Sequence, residues 1–280
     1  MQRLEIFQAL WAMEHRRPGE AQPPLAENFD RVKDAGFDGM AIDLGALSFA
    51  QAEATVPHFA RTGLRGLLTA FPRSIEDLRP ALKLAKRIEA PFVVVIGQVM
   101  PLSVAGSIAV IRDWLRVAAE EQTKIQFETH RNCITNDLFA TVQLLDAVPD
   151  MRLAADLSHY VVDREMPCPP PPELQALIAR VLARSDSFQG RVAARGQIQI
   201  ALEFPQHRKW VNLFADWWRA GFASWKARAG ADESAIFLCE LGPPDYAITD
   251  ANGAELSDRW AEALALRDMA KALWDESGGA

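Results

Sequence analysis

Residues 124–131 read KIQFETHR. Ile125 and Phe127 are apolar with β propensity, so a buried strand is predicted, and the run then breaks into Glu128, Thr129, His130 and Arg131. A carboxylate at the end of a buried strand needs a partner. Removing water from an ionised Glu is costly unless a cation or hydrogen-bond donors take its place. An ion pair with a nearby base such as Arg131 answers that need, and so does a cation shared with other acids; these eight residues leave both open.

On either side of this strand the chain alternates short apolar runs with helical periodicity. Strands are predicted at residues 4–10, 37–44, 64–69, 92–96, 151–155, 191–200 and 235–239. Helices are predicted at 25–35, 50–61, 75–88, 104–115, 137–148, 174–181, 211–228 and 256–274. With the strand at Glu128 that makes eight strand-then-helix units in 280 residues, the pattern and length of a single (β/α)8 TIM barrel occupying residues 1–280 as one domain. A doubly wound open sheet is the competing architecture, but no G-x-G-x-x-G or G-x-x-x-x-G-K-[ST] follows a strand. Within 191–200, RVAARGQIQI alternates, so a regular strand places Ala193, Arg195, Gln197 and Gln199 on one face.

Composition narrows the class. The net charge of −7, with no basic block, argues against a nucleic-acid partner. Cys133, Cys168 and Cys239 are three in number and widely spaced, which suggests neither a disulfide framework nor a cysteine zinc site. No apolar run approaches a membrane span, so a cytoplasmic protein without a membrane partner is expected. Oligomeric state stays open, with the aromatic helix from Val211 and the proline run 167–172 as candidate interfaces.

Three apolar strands end in a carboxylate: Glu128, Asp156 and Glu240. In a closed parallel barrel all strand C-termini share one mouth, so these acids can meet. Close carboxylates repel unless a cation sits among them, and an oxygen-rich set favours magnesium or manganese, with zinc, cobalt or iron as alternatives. Arg195 offers a different answer, either neutralising the acids or gripping a substrate anion. Trp11 in the first loop is a candidate substrate-facing wall. Trp217, Trp218 and Trp225 are expected to pack on the barrel.

GFDGM at 36–40, FETHR, the D-x-x-H of Asp156 to His159, and ELGPPDYAITD after the last strand resemble the sugar isomerase and epimerase superfamily of xylose isomerase-like TIM barrels. The resemblance implies a metal at the barrel mouth held by a Glu, an Asp, a His and a second Glu. Glu128, Asp156 and Glu240 match three of those positions, and His159 matches a neighbouring histidine that contacts substrate oxygens. The metal-binding His of the seventh strand has no counterpart, since Ala193 stands there. Gln199, Gln197, His207 or a water are the candidate replacements. His130 is a candidate for orienting Glu128, capping the next helix or touching substrate.

The resulting expectation is a divalent-metal-dependent isomerase or epimerase of a sugar or related polyhydroxy carbonyl compound. Glu128 or Glu240 is its general base, with the opposite glutamate returning the proton, and His159 donates to a substrate hydroxyl. A keto-sugar lyase or dehydratase uses the same opening step. A non-catalytic sugar-binding barrel with a degenerate metal site is the alternative of a different class.

Overall fold

The computed structural model describes residues 1–15 and 20–278. Eight parallel strands close on themselves in sequence order, β1 (Arg3–Ala9), β2 (Gly39–Asp43), β3 (Arg65–Ala70), β4 (Val93–Val95), β5 (Ile125–Glu128), β6 (Leu153–Ala155), β7 (Ser185–Gly190) and β8 (Ser234–Cys239), with β8 pairing back onto β1. The chain is a (β/α)8 barrel. Among the described residues no helix is long and apolar enough to cross a membrane.

Period-two alternation divides each strand between two environments. Phe7, Ala9, Ala41, Leu67, Val94, Ala154, Ile236 and Leu238 fill the barrel interior. Ile6, Met40, Leu68, Val95, Phe127, Leu153, Phe188 and Phe237 face outward to the helix ring. Burying each such side chain is worth about 1.5 to 3 kcal/mol, and the helices exist largely to do it. They are α1 (Leu25–Asp34), α2 (Phe49–Glu53), α3 (Val56–Thr62), α4 (Leu78–Arg87), α5 (Val104–Glu120), α6 (Leu138–Ala147), α7 (Leu157–Asp163), α8 (Pro172–Leu182), α9 (Arg208–Arg228) and α10 (Arg259–Glu276).

Side-chain oxygens start several of them. Ser48, Ser103, Asp137 and Asp258 each accept a backbone N–H of the first turn of α2, α5, α6 and α10. The aromatic helix α9 turns its rings inward: Trp218 stands edge-on to Phe237 at 5.1 Å and Phe222 to Phe188 at 5.1 Å. Its rings belong to the packing, so this helix does not offer the apolar docking face suggested for it. A Cβ on Gly221 would lie 2.4 Å from Phe188, so glycine lets α9 approach β7 this closely.

Two sequence expectations need correction. The predicted helix 50–61 is two short helices, α2 and α3. More consequentially, the seventh strand is Ser185–Gly190, and 191–200 is a loop with one isolated bridge between Ala194 and Gln197. The physical reason lies in the interior: Ser187 points inward and donates to Gln126 at 2.6 Å, so β7 is polar on its inner face and lacks an apolar signature.

Candidate active site

Inward parity carries three acids to one end of the barrel. Glu128 ends β5, Asp156 follows β6 and Glu240 follows β8, where its N–H donates to the Gly190 carbonyl. One oxygen from each lies within 4.8 Å of the others, all three side chains being buried. Burial, then repulsion from Glu240 and Asp156, pushes the Glu128 carboxyl well above its ordinary range. Burial likewise pushes Glu240 up to about 8 against the opposing pull of Arg191.

Asp156 has two different faces. Its Oδ1 caps α7, accepting from the Ser158 N–H at 2.9 Å and the Ser158 hydroxyl at 2.5 Å. Its Oδ2 turns to the site, 3.4 Å from His159 Nε2. The D-x-x-H spacing thus reflects one helical turn that returns His159 beside the acid that starts the helix. Helix α7 is not among the helices that the apolar periodicity predicts.

Arg191, directly after β7, completes the cluster. Its Nε donates to Asp156 Oδ2 at 3.1 Å and its Nη2 pairs with Glu240 Oε2 at 3.0 Å, with the guanidinium buried. The same group lies over the Tyr246 ring at 4.7 Å and near Trp11 at 5.6 Å. Trp11 and Tyr246 meet edge to face at 5.1 Å. Together with Phe71, Glu128, His130 and Glu240 they line a cavity of about 220 Å³.

The remaining residues singled out from the sequence fall as follows. His130 and His159 are in contact, ring centroids 3.9 Å apart. Burial pushes His130 down to about 4 and His159 well below its usual range, so both rings are neutral at pH 7. His130 Nδ1 hydrogen-bonds the Arg131 carbonyl, and α6 is capped by Asp137 instead. Arg195 is exposed and pairs with Glu165 at 3.2 Å, away from the acids. Gln197 is exposed in the bridge-closed turn. Gln199 is buried but spent, accepting from the Gly242 N–H at 2.7 Å and donating to its carbonyl at 2.9 Å. His207 Nδ1 hydrogen-bonds the Ala201 carbonyl at 2.7 Å. Arg195, Gln197 and Gln199 reach the mouth only if 191–200 is a strand, which it is not, and His207 does so only if its loop folds back to the site.

Sequence reasoning missed Gln189, Arg191 and Tyr246. A signal existed for the first two. Helix-to-strand loops in such units run only about 2 to 6 residues, so a helix ending near residue 181 predicts a strand that is finished by about 190. Gln189 then becomes the inward residue at its end. Tyr246 lies inside the ELGPPDYAITD segment, where nothing in the sequence marks a ring that packs against a buried guanidinium.

The site's polar atoms are incompletely paired. Glu128 Oε2, both amide atoms of Gln189, Arg191 Nη1 and both ring nitrogens of His159 are buried without a hydrogen-bond partner. The Gln189 amide favours the carboxylate form of Glu128 against the dominant effect of burial. Each unpaired buried group costs about 1 to 3 kcal/mol, so their concentration at one place marks a ligand's seat. Charge makes the same point. Three carboxylates against one guanidinium leave two negative charges, which two protons or one divalent cation neutralise. The all-oxygen character of the acids suits a hard ion such as magnesium or manganese, and the residues therefore fit a divalent metal. A second, nitrogen-richer grouping of Glu128, His130 and His159 has ligand atoms equally close.

No protein-family model matches the sequence, and no curated protein sequence matches it either. Solved structures do. A xylose isomerase-like TIM barrel protein from Mycobacterium smegmatis in complex with magnesium superposes with a TM-score of 0.61 at 16% identity, covering 98% of each chain. The D-allulose 3-epimerase of Methylomonas sp. gives 0.59 at 16% identity, again over 98% of each chain. A probable 3-DHS dehydratase from Bacillus anthracis gives 0.56 at 12% identity, over 84% of this chain and 92% of that one. At such identities the likeness establishes architecture: this chain has the fold of the xylose isomerase-like TIM barrels.

Proposed function

We propose that this barrel is a divalent-metal-dependent isomerase or epimerase of a sugar or related polyhydroxy carbonyl compound. The observation that carries the reading is the convergence of Glu128, Asp156 and Glu240 at the mouth, beside a cluster of unpartnered buried donors and acceptors. The activities of the D-allulose and L-ribulose 3-epimerases that share this fold support it. A metal ion held by the three carboxylates would supply Lewis acidity toward a substrate carbonyl.

The protein's own groups account for the proton movements. Glu128, with Oε2 unpartnered, takes the proton from the carbon next to the carbonyl. Glu240 gives a proton back, to the other face of that carbon in an epimerase or to the former carbonyl carbon in an isomerase. A carboxyl group can serve either half of the exchange, accepting the proton as carboxylate and returning it as acid. Neutral His159 donates from one ring nitrogen to a substrate hydroxyl and accepts at the other. Arg191 Nη1 donates to a substrate oxygen while the rest of the guanidinium holds Asp156 and Glu240 in place. Trp11 and Tyr246 form an apolar wall for the sugar's C–H face.

The test is proton exchange from deuterated water into a panel of ketoses and aldoses with manganese present. Exchange by the wild type that falls at least about a hundredfold in Glu128→Gln and Glu240→Gln supports the base assignments. Wild-type exchange in folded variants removes them. Loss of water from a keto-substrate, in place of exchange alone, selects the dehydratase reading for which a structural neighbour also stands. Tight sugar binding without exchange selects the non-catalytic barrel.

A further inference from the structure

We propose that the side-chain carbonyl of Gln189 is the fourth protein ligand of the metal, giving an all-oxygen shell that favours manganese or magnesium over zinc. The proposal rests on the metal-centred reading above and adds to it the ligand and the ion it selects.

Position comes first. Gln189 shares the inward parity of Ser187, which bonds Gln126 across the barrel interior, and its strand lies between those that deliver Asp156 and Glu240. Its register partner on β8, Leu238, is two residues before Glu240, and on β6 the pairing of Ser187 with Ala154 and of Phe188 with Ala155 brings the glutamine level with Asp156. Availability comes next. Gln189 is 2% exposed, and neither amide atom has a partner, a costly arrangement for a residue that could be leucine if only packing were needed.

The other candidates on this side of the mouth are committed elsewhere. Gln199 is bonded at both amide atoms to Gly242, Gln197 is in solvent, His207 serves the Ala201 carbonyl, and Arg191 has only donors. Charge agrees with a neutral ligand here. Three carboxylates, one guanidinium and a divalent ion sum to zero, and an amide oxygen completes the shell without disturbing that balance. A carbonyl oxygen is a hard donor, whereas zinc gains most from imidazole nitrogen or thiolate, so glutamine shifts the preference toward the harder ions.

The experiment measures binding of manganese alone and zinc alone to the full chain by calorimetry. It adds pulsed electron paramagnetic resonance of bound manganese, for the wild type, Gln189→Leu and Gln189→His. The expected result is a manganese affinity about tenfold or more weaker in Gln189→Leu, and a zinc-to-manganese affinity ratio about tenfold or more higher in Gln189→His. An imidazole-nitrogen coupling should be absent in the wild type and present in Gln189→His. Folding of both variants is checked by thermal melting and circular dichroism. Manganese bound equally well by Gln189→Leu overturns the proposal while leaving the metal-centred function standing. Imidazole coupling in the wild type overturns it in favour of the grouping with His130 and His159. Dependence on Gln189 without turnover of any sugar upholds the ligand and sinks the isomerase reading.

Discussion

The two ends of this barrel use the same residue types to opposite effect. At the N-terminal end Arg65 pairs with Glu5, while Arg152 grips Asp186 with two parallel bonds of 2.7 Å and Arg228 adds a third at 2.7 Å. These charges line the larger cavity, about 610 Å³, yet each finds its partner and stays partly hydrated. At the C-terminal end three acids share one arginine, all are buried, and donors and acceptors are left without partners around a cavity of about 220 Å³. Size therefore does not locate function here. Unbalanced charge in a dry place does, because a fold gains nothing by leaving such groups unmatched unless something else arrives to match them.

The contrast can be broken most sharply at Asp156. Asp156→Ala should weaken manganese binding by about a hundredfold or more, since it removes a ligand directly. Titration calorimetry reads it, and unchanged affinity would mean that the acids do not form a metal centre. Next in size is the arginine pair. Arg191→Met should cost about 3 to 5 kcal/mol in denaturant unfolding at pH 8 without metal, because it strands buried carboxylates. Arg152→Met, whose partner Asp186 keeps Arg228 and some water, should cost about 1 kcal/mol. Equal costs at the two ends would erase the distinction.

An effect read only through pH lies at Asp43, which burial lifts to about 6 against the N–H groups of Gly45 and Ala46. Its folded value lies above its unfolded one, so its charge opposes folding. Wild-type stability should fall relative to Asp43→Asn as pH rises from 3.8 to about 6, and the gap should then stay constant. Stability curves that run parallel from pH 3 to 8 would show an unstrained surface acid.

How much of this was legible differs between strands for a physical reason. Glu128, Asp156 and Glu240 stood out because each follows an apolar run, and a charge after such a run is conspicuous. Strand β7 gave no such contrast. Its inner face carries Ser187 and Gln189, because the barrel is filled at that level by hydrogen bonds as well as hydrocarbon, while RVAARGQIQI imitates a strand in a loop whose two ends are buried and whose tip, 195–197, is exposed. The misreading moved the seventh strand by several residues, and with it the search for a fourth ligand. The buried, unpartnered glutamine of this region is Gln189, whereas Gln197 is exposed and Gln199 is bonded to Gly242.

Gly242 binds this history to the barrel's future. A Cβ there would lie 2.4 Å from Trp11, and its backbone N–H and carbonyl are both held by Gln199. The loop after β7 is thus moored to the turn after β8, two residues beyond Glu240, with the first loop's Trp11 wedged against the mooring. Most mouth loops of such barrels can be lengthened or exchanged to acquire new substrates. This one cannot be altered without pulling on Glu240, so diversification of specificity in descendants of this chain should be concentrated in the loops on the opposite side of the mouth.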